Sequence, residues 1–400
     1  MTDIIQFNGS LASVPAPQLG ATAIRAALSK TTLPHDELSA AYIGNVLSAG
    51  MGQAPARQAI IRAGLSQSLD ATTVNKVCAS GLKSVSLAAQ QISLGLERAV
   101  IAGGMENMSR VPYFAPRGSQ YPGFGNVTLT DGMIGDGLWD AYNNVHMGSC
   151  AERTALAHKL PRERQDAYAI SSYTRAQAAW DAGHFKDEIA PVTVPAARKG
   201  KPDIEVKEDE QYRKLKLDKV PTLKPAFALP PGSTGERTVT AANSSSFNDG
   251  ASALILTNAD LAREHGSKSS VLARVVSSAD AAVDPMDFPI APAKAVPLAL
   301  KRAGLSVADI SAWEINEAFA CVVLANAQLL GGLQDSSDGG IDKVNQRGGA
   351  IALGHAIGSS GARILTTLLH TLKVGEFGCV GICNGGGAAT ALIVQRIDHV

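Results

Sequence analysis

Apolar positions along the chain fall into two rhythms, and the order in which the rhythms alternate predicts the class of fold. Residues 18–29, QLGATAIRAALS, repeat at the three-to-four spacing of an amphipathic helix. DELSAAYIGNVLSAG then leads into a glycine-rich stretch, and APARQAIIRAGL resumes helical spacing. The β-branched run ATTVNKVC reads as extended. Directly after it Leu82, Val85, Ala89 and Ile92 recur as on one helix face until Gly95, a suitable C-cap. RAVIAGGMENMS follows as a buried strand ending in a glycine turn. Strand, helix and strand in that order predict a parallel sheet with a crossover helix.

Between Val111 and about Gly235 the rhythm breaks. Pro, Gly and Tyr cluster in VPYFAPRGSQYPGFGN. Two helices are predicted in CAERTALAHKL and RERQDAYAISSYTRAQAAWDAG, and the charged run KGKPDIEVKEDEQYRKLKLDK follows. This segment reads as an insertion with a small fold of its own. The strand pattern returns at TVTAANSSSFNDGASALILTN, and the last third repeats the first in outline. Val74-Asn75, Ser80-Gly81, a helix, Gly95 and Gly103-Gly104 correspond to Val344-Asn345, Ser360-Gly361, a helix, Gly375 and Asn384-Gly385-Gly386. Such a duplication places a site between two similar halves.

Composition removes several function classes. The 36 Lys plus Arg balance 36 Asp plus Glu, so no basic stripe argues for nucleic acid and an anionic ligand must be met locally. No apolar run reaches the roughly 18 residues of a membrane span. The longest candidate, AFACVVLANAQLL, contains Asn326 and Gln328 and reads as a buried helix. Cysteines at 78, 150, 321, 379 and 383, an odd number, suit free thiols in a reducing compartment. The opening MTDIIQFNGSLASVPAPQLG has neither a signal nor a transit pattern, and RIDHV is no peroxisomal address. The cytoplasm is therefore the expected location, with mitochondria the alternative for a shortened start.

Four loci carry groups suited to chemistry. Cys78 lies between an extended run and a helix, where unpaired amides and the helix dipole favour a thiolate. Ala79, Ser80 and Gly81 leave room for a substrate. His355 sits in the turn GGAIALGHAIGSSGARIL, as a general base would. Cys383 borders Asn384–Gly387 in CVGICNGGGAA, where a thiol can move a proton and glycine amides can bind an oxyanion. Cys379 reads as a buried strand residue, and two cysteines four apart without further ligands make no zinc site. Asn316 in WEINEAFA either caps the next helix or holds a water or carbonyl. Each of these residues has a packing, turn or capping alternative when taken singly. As a set, at strand ends of a duplicated framework, they form a kit for acyl transfer with carbon–carbon bond formation.

Seven motifs in order, NKVCASGLK, AGGMENMS, HMGSCAERTA, NSSSFNDGASA, WEINEAFA, GGAIALGH and CNGGGAA, make the chain resemble the thiolase family over nearly its whole length. Within that family it is most similar to the acetoacetyl-CoA thiolases. The resemblance implies an α/β thiolase fold of two duplicated domains, each with a mixed five-stranded sheet, layered α-β-α-β-α, plus an inserted loop domain. Residues 1–110 and 238–268 are then the N-terminal domain, 111–237 the loop domain over the CoA tunnel, and 269–400 the C-terminal domain.

The resemblance also implies a reversible, ping-pong Claisen condensation of two acetyl-CoA to acetoacetyl-CoA and CoA. Cys78, activated by His355, takes up the acetyl group; Cys383 removes an α-proton from the second acetyl-CoA, whose carbanion attacks the acetylated cysteine. One oxyanion hole is implied at His355 with a water held by Asn316, the other at the amides of Cys78 and Gly385. Fixed donors suit the charge that develops on a thioester oxygen. Ser245 is implied at the pantetheine arm, His146 and Met147 in the tunnel wall, and Lys224 at a CoA phosphate.

KEDEQYRK, TAANSSS and DPMDFPIAP are similar to the potassium-dependent mitochondrial-type branch. They imply K+ at Tyr212, Ala241, Ala242 and Ser244, with Ile351 from the other half. Phe288 and Pro289 are implied in an acyl pocket that accepts a 2-methyl branch, which adds 2-methylacetoacetyl-CoA to the expected substrates. No covalently bound cofactor is implied; coenzyme A is substrate and product. Family members form homodimers or homotetramers through a protruding loop, for which APRGSQYPGFGN is the candidate.

Two departures stand out. GHAIG carries Ala356 where the family has proline, which removes a fixed φ beside His355 and is expected to loosen the loop. MTDIIQ stands where the family begins with an apolar strand and an Arg-Thr-Pro turn, so a central strand is expected to be short or missing. Three rivals compete: a 3-ketoacyl-CoA thiolase of broader chain length, a decarboxylating ketoacyl synthase with Cys and two His, and a non-catalytic acyl-CoA-binding module. NEAFA and CNGGG argue against the synthase, and the retained Cys78, His355, Asn316 and Cys383 against the module.

Overall fold

The computed structural model describes residues 1–115, 117, 124–196, 198, 200–265 and 272–400. Its first half runs β1 (Ile5–Gln6), α1 (Ala16–Leu28), β2 (Leu38–Gly44), α2 (Pro55–Arg62), β3 (Asp70–Val74), α3 (Ser80–Ser93) and β4 (Ala99–Asn107). Three small ribbons and two helices follow: β5 (Tyr113–Phe114) with β6 (Thr130–Asp131), β7 (Trp139–Asp140) with β8 (Val145–His146), α4 (Met147–Ala157), α5 (Arg162–Asp181), and β9 (Val192–Val194) with β10 (Ile204–Val206). β11 (Asn248–Thr257) and α6 (Ala259–His265) precede the second half. That half comprises β12 (Leu272–Ala282), α7 (Pro292–Ala303), β13 (Ile310–Ile315), α8 (Ala320–Leu330), α9 (Ala350–Leu353), α10 (Ser360–Thr371), β14 (Phe377–Asn384) and β15 (Ala388–Ile397).

β2 pairs in parallel with β3 and β4, as the crossover pattern demands, and β11 adds antiparallel to β4 in the order β1-β11-β4-β2-β3. Every residue of β4 is buried, because helices cover both faces of the sheet. The second sheet has the order β12-β15-β14-β13. It has four strands among the described residues rather than the expected five. The fifth place holds only the isolated parallel bridge of Val344 to Trp313, since Lys343 and Asn345, at φ 60° and 49°, bend the chain away on either side. With Val344 in that place the two orders correspond, and β1 is the counterpart of β12. The short strand therefore lies at the edge of its sheet, not at the centre, where β4 and β11 already supply both neighbours.

Three apolar cores define the layers. Leu19, Ile24 and Ile60 of α1 and α2 pack on the outer face of the first sheet against Ile43 and Ile101. α3 and α10 form the middle layer, where Leu82, Val85, Ile364 and Leu368 meet Val100 of one sheet and Val380 and Leu392 of the other. Val296 of α7, Val322 of α8 and Tyr168 of α5 share the third core with Trp313 and Ile393. The α-β-α-β-α layering is thus the one the resemblance implied. Residues 116 and 118–123 of the candidate assembly loop APRGSQYPGFGN lie outside the described residues. No described helix is long and apolar enough to cross a membrane.

Candidate active site

The turn joining β3 to α3 is held in an unfavourable shape. Val77 takes φ 47°, costly for a β-branched residue, and is pinned there by its own N–H to Asn75 Oδ1 (3.0 Å) and by the Ser80 hydroxyl donating to its carbonyl (2.6 Å). Cys78 is thereby set just before the first turn of α3, buried to 6% exposure. Burial pushes its thiol up to about 12, although the amides of Cys78 itself and of Gly385 pull the other way. The expected thiolate does not form at rest: loss of water outweighs the helix terminus. Cys383, at the end of β14, is raised well above the usual thiol range by burial first and by the neighbouring Cys78 second. A Cβ on Gly385 would stand 3.3 Å from Met147 Cε and 3.6 Å from Val77 Cγ1. Residues of both halves and of the insertion therefore meet here.

His355 is positioned through its backbone. Its N–H reaches the Ser246 carbonyl (3.2 Å) and Asn248 Oδ1 (3.0 Å). Gly354 before it has φ 112°, and a Cβ there would fall 2.3 Å from the Asn248 side chain, so the position needs glycine. His355 Nδ1 lies 2.6 Å from Ser360 Oγ, and the Ser360 hydroxyl donates to the Ala356 carbonyl (2.9 Å). With that hydroxyl hydrogen on the Ala356 carbonyl, Nδ1 carries the ring proton and Nε2 is left as the acceptor. Nε2 is buried and has no partner. Burial, then the charge of Arg363, pulls the ring down to about 3, so it is neutral at rest.

The Ala356 carbonyl also takes the N–H groups of Ser359 and Ser360, both at 2.9 Å, so the turn after His355 is hydrogen-bonded without proline. Asn316 follows β13, its N–H bonded to the Gly381 carbonyl (3.0 Å). α8 begins at Ala320 without a side-chain cap, and both polar atoms of the Asn316 side chain are buried and unpartnered. Capping is excluded as its role. An unmet amide in a buried pocket suits a held water or carbonyl.

The Ser245 N–H bonds the Ala318 carbonyl (3.0 Å), and Phe247 bridges to His355, so one segment ties WEINEAFA to the histidine turn. His146 caps α4 by accepting the Gly148 N–H (2.9 Å) and stacks on Phe227 at 4.8 Å, which meets Phe319 edge-on at 6.0 Å. Phe288 is buried in the turn Pro285–Ile290, held by Asn326 Nδ2 on the Pro289 carbonyl (2.7 Å). Lys224 is exposed. Tyr212 is buried apart from the thiols, stacked on Trp180 at 5.7 Å with its hydroxyl donating to Glu208. The carbonyls of Ala241 and Ala242 accept no hydrogen bond from the described residues, and Ser244 Oγ donates to the Thr240 carbonyl. Free carbonyls and a phenol oxygen are donors that fit a weakly hydrated monovalent cation.

Two carboxylates escaped the sequence reasoning. Glu317, fully buried, accepts from Tyr168 Oη (2.9 Å), Ser172 Oγ (2.7 Å), Asn345 Nδ2 (3.0 Å) and the Ile351 N–H (3.0 Å). Glu106 accepts from Asn45 Nδ2 (2.7 Å) and the N–H groups of Val46 (2.9 Å) and Gly358 (3.0 Å), and burial raises it to about 7. Both fasten the loops flanking His355, one on each side. The available signal was an acid inside an apolar run, MEN and INEAF, which must find partners once buried.

Comparison with known proteins adds independent findings. The family profile described as "Thiolase, N-terminal domain" matches residues 1–260, and "Thiolase, C-terminal domain" matches 269–396. The chain is 57% identical over 399 residues to "Acetyl-CoA acetyltransferase erg10A, mitochondrial" of Aspergillus fumigatus, covering 100% of this chain and 89% of that protein. It is 51% identical over 396 residues to "Acetyl-CoA acetyltransferase, mitochondrial" of Bos taurus, covering 99% and 90%. The crystal structure of Acat5 thiolase from Ascaris suum in complex with coenzyme A matches with a TM-score of 0.89 at 42% identity, covering 99% of this chain and 97% of that one. The mitochondrial names of the relatives overturn the cytoplasmic expectation, which rested on the absence of targeting patterns at either end and on the free cysteines.

Proposed function

The chain belongs to the thiolase family, and on that premise we propose that it is an acetyl-CoA C-acetyltransferase, joining two acetyl-CoA to acetoacetyl-CoA and CoA and catalysing the reverse cleavage. The observation that carries the proposal is the resting state of the site: two buried neutral thiols beside the Gly385 amide, and a neutral imidazole with a bare, unpartnered Nε2. His355 Nε2 takes the Cys78 proton as the sulfur attacks the thioester carbonyl, and CoA leaves as its thiol with the proton of Cys383. The Cys383 thiolate so formed takes the α-proton of the second acetyl-CoA, and the new carbon–carbon bond forms as the Cys78 thiolate is released and recovers its proton from His355. The Cys78 and Gly385 amides serve one oxyanion, and His355 with an Asn316-held water serves the other. Names of relatives at 51–57% identity support the substrate and a mitochondrial location.

Ser245, His146, Met147 and Lys224 are assigned to coenzyme A, and Phe288 to the acyl pocket. The division into 1–110 with 238–268, 111–237 and 269–400 accompanies this assignment, as does a homodimer or homotetramer. The test is thiolysis with free CoA: acetoacetyl-CoA is expected to be cleaved at least about tenfold faster, in kcat/KM, than a longer 3-ketoacyl-CoA. Equal or faster cleavage of the longer substrate would move the assignment to a broader-chain 3-ketoacyl-CoA thiolase.

Tyr212, Ala241, Ala242, Ser244 and Ile351 are proposed to hold K+, which would order the loop against coenzyme A through fixed positive charge. Replacing Na+ by K+ at constant ionic strength is expected to lower KM for acetyl-CoA and raise the thermal midpoint. Identical values in both salts would remove the cation from the assignment.

A further inference from the structure

Condensation brings two sulfurs to one substrate: Cys383 must reach the α-proton of the second acetyl-CoA while the acetyl group waits on Cys78. Cys78 packs in the middle layer and belongs to the first half, whereas Cys383 packs in the third core with the second. A long stretch of chain joins them, so tertiary bonds set their separation. A misplacement of about 1 Å between reacting groups costs about a hundredfold in rate.

Lys76 makes bonds of this kind. It stands in the pinned turn before Cys78, its N–H donating to Ser80 Oγ (2.8 Å) while the Ser80 hydroxyl donates to the Val77 carbonyl (2.6 Å). Its ammonium crosses to the other half. It donates to Thr390 Oγ1 (2.9 Å) and the Ala389 carbonyl (3.3 Å) of β15 and pairs with Asp280 of β12. Three donors on three separate atoms leave the group no free direction. Ala389 is the residue opposite Cys383 in the β14–β15 ladder, and Thr390 is opposite Asp280 in the β12–β15 ladder. The cluster also holds Asp280: the Thr390 hydroxyl donates to its Oδ1 (2.7 Å) and Lys83 of α3 to its Oδ2 (2.6 Å). Burial pushes this carboxyl up, but the bonds from Lys76 and Lys83 outweigh it and bring it down to about 2, so the aspartate is charged at neutral pH.

We propose that Lys76 is a positioning residue for carbon–carbon bond formation: its ammonium ties the Cys78 turn to the strand beside Cys383 and so sets the distance between the two thiols. The inference rests on the acetyltransferase reading of the site. The two half-reactions depend on that distance unequally. A CoA thiolate is a stable anion that can leave even when the Cys383 proton is badly placed, whereas a C–H bond ionises only against a base in contact with it. Loss of the tie should therefore spare acetylation of Cys78 and slow condensation.

The test compares two rates on the whole chain: acetyl exchange from acetyl-CoA to isotope-labelled CoA, which needs only the acetylated Cys78, and formation of acetoacetyl-CoA. In Lys76→Met, exchange is expected to stay within about threefold of wild type and condensation to fall at least about thirtyfold. Thr390→Val removes a partner of Lys76 without touching the turn, and should shift the ratio of the two rates the same way by at least about threefold; it decides the matter alone if Lys76→Met does not fold. Ser86→Ala is the control. It deletes the contact of Ser86 Oγ with Ser278 Oγ of β12 (2.9 Å), another polar link between α3 and the second half, and should leave the ratio at its wild-type value. Equal losses of both rates, an unchanged ratio, or the same split in Ser86→Ala would overturn the proposal. A wild type that exchanges label without ever making acetoacetyl-CoA would instead refute the functional reading beneath it.

Discussion

Replacing Cys78 with alanine is expected to lower acetyl transfer by at least about a thousandfold while the protein stays folded. Cys78 is the group at which two strained or buried features converge: the pinned left-handed Val77 before it and the α3 terminus after it. Its thiol is neutral at rest, so reaction with acetyl-CoA needs proton removal at the moment of attack rather than a standing thiolate. Mass spectrometry after mixing with acetyl-CoA separates the two cysteines. Wild type and Cys383→Ala should each carry one acetyl group on Cys78, and Cys78→Ala none. Cys383→Ala should nevertheless fail to release acetoacetyl-CoA, because the carbanion is never made. An acetylated Cys78→Ala protein, or turnover that survives the substitution, would return the chain to the class of acyl-CoA-binding modules.

The elements around the site were legible because each reactive residue sits where a period changes. Cys78 stands where β spacing gives way to helical spacing, and Cys383 and Asn316 stand where apolar strands stop at small or polar residues. The duplicated order of strands, down to Val344 answering β3, was also readable from spacing. Electrostatics was not. A helix terminus near Cys78 suggested a lowered thiol pKa, but that inference needs the exposure of the sulfur, which only packing sets. Glu106 and Glu317 were hidden for the same reason, since a carboxylate's role depends on which backbone N–H groups tertiary contact brings to it. Gly104 and Gly358 illustrate the point: a Cβ on Gly104 would lie 2.1 Å from the Gly358 carbonyl oxygen, a contact between residues remote in sequence. The edge position of β1 likewise depends on β11, which joins the first sheet only after the long insertion.

Replacing His355 with alanine should slow acetylation of Cys78 by about 10²–10⁴-fold, the range for loss of a positioned general base. The pH dependence separates this role from a structural one. With the imidazole held near 3, the fraction of competent base does not change between pH 5 and 8, so wild-type kcat/KM should show no acid limb at the ordinary histidine value of about 6.5. A limb there that vanishes in His355→Ala would contradict the buried neutral ring. Stability carries the opposite signature. The folded ring stays unprotonated down to about 3, whereas the unfolded one binds a proton below about 6.5. Its contribution is therefore intact above about 6.5 and is lost as pH falls towards 3. Glu106 and Glu188, each raised to about 7, run the other way and weaken the fold as pH rises from about 4.5 to 7. Both proteins share that second effect, so it cancels when they are compared. Between pH 7 and 5 the wild type should lose about 2 kcal/mol more unfolding free energy than His355→Ala, read from urea midpoints at the two pH values. Parallel losses would mean that the folded ring titrates near its ordinary value and that burial does not hold it neutral.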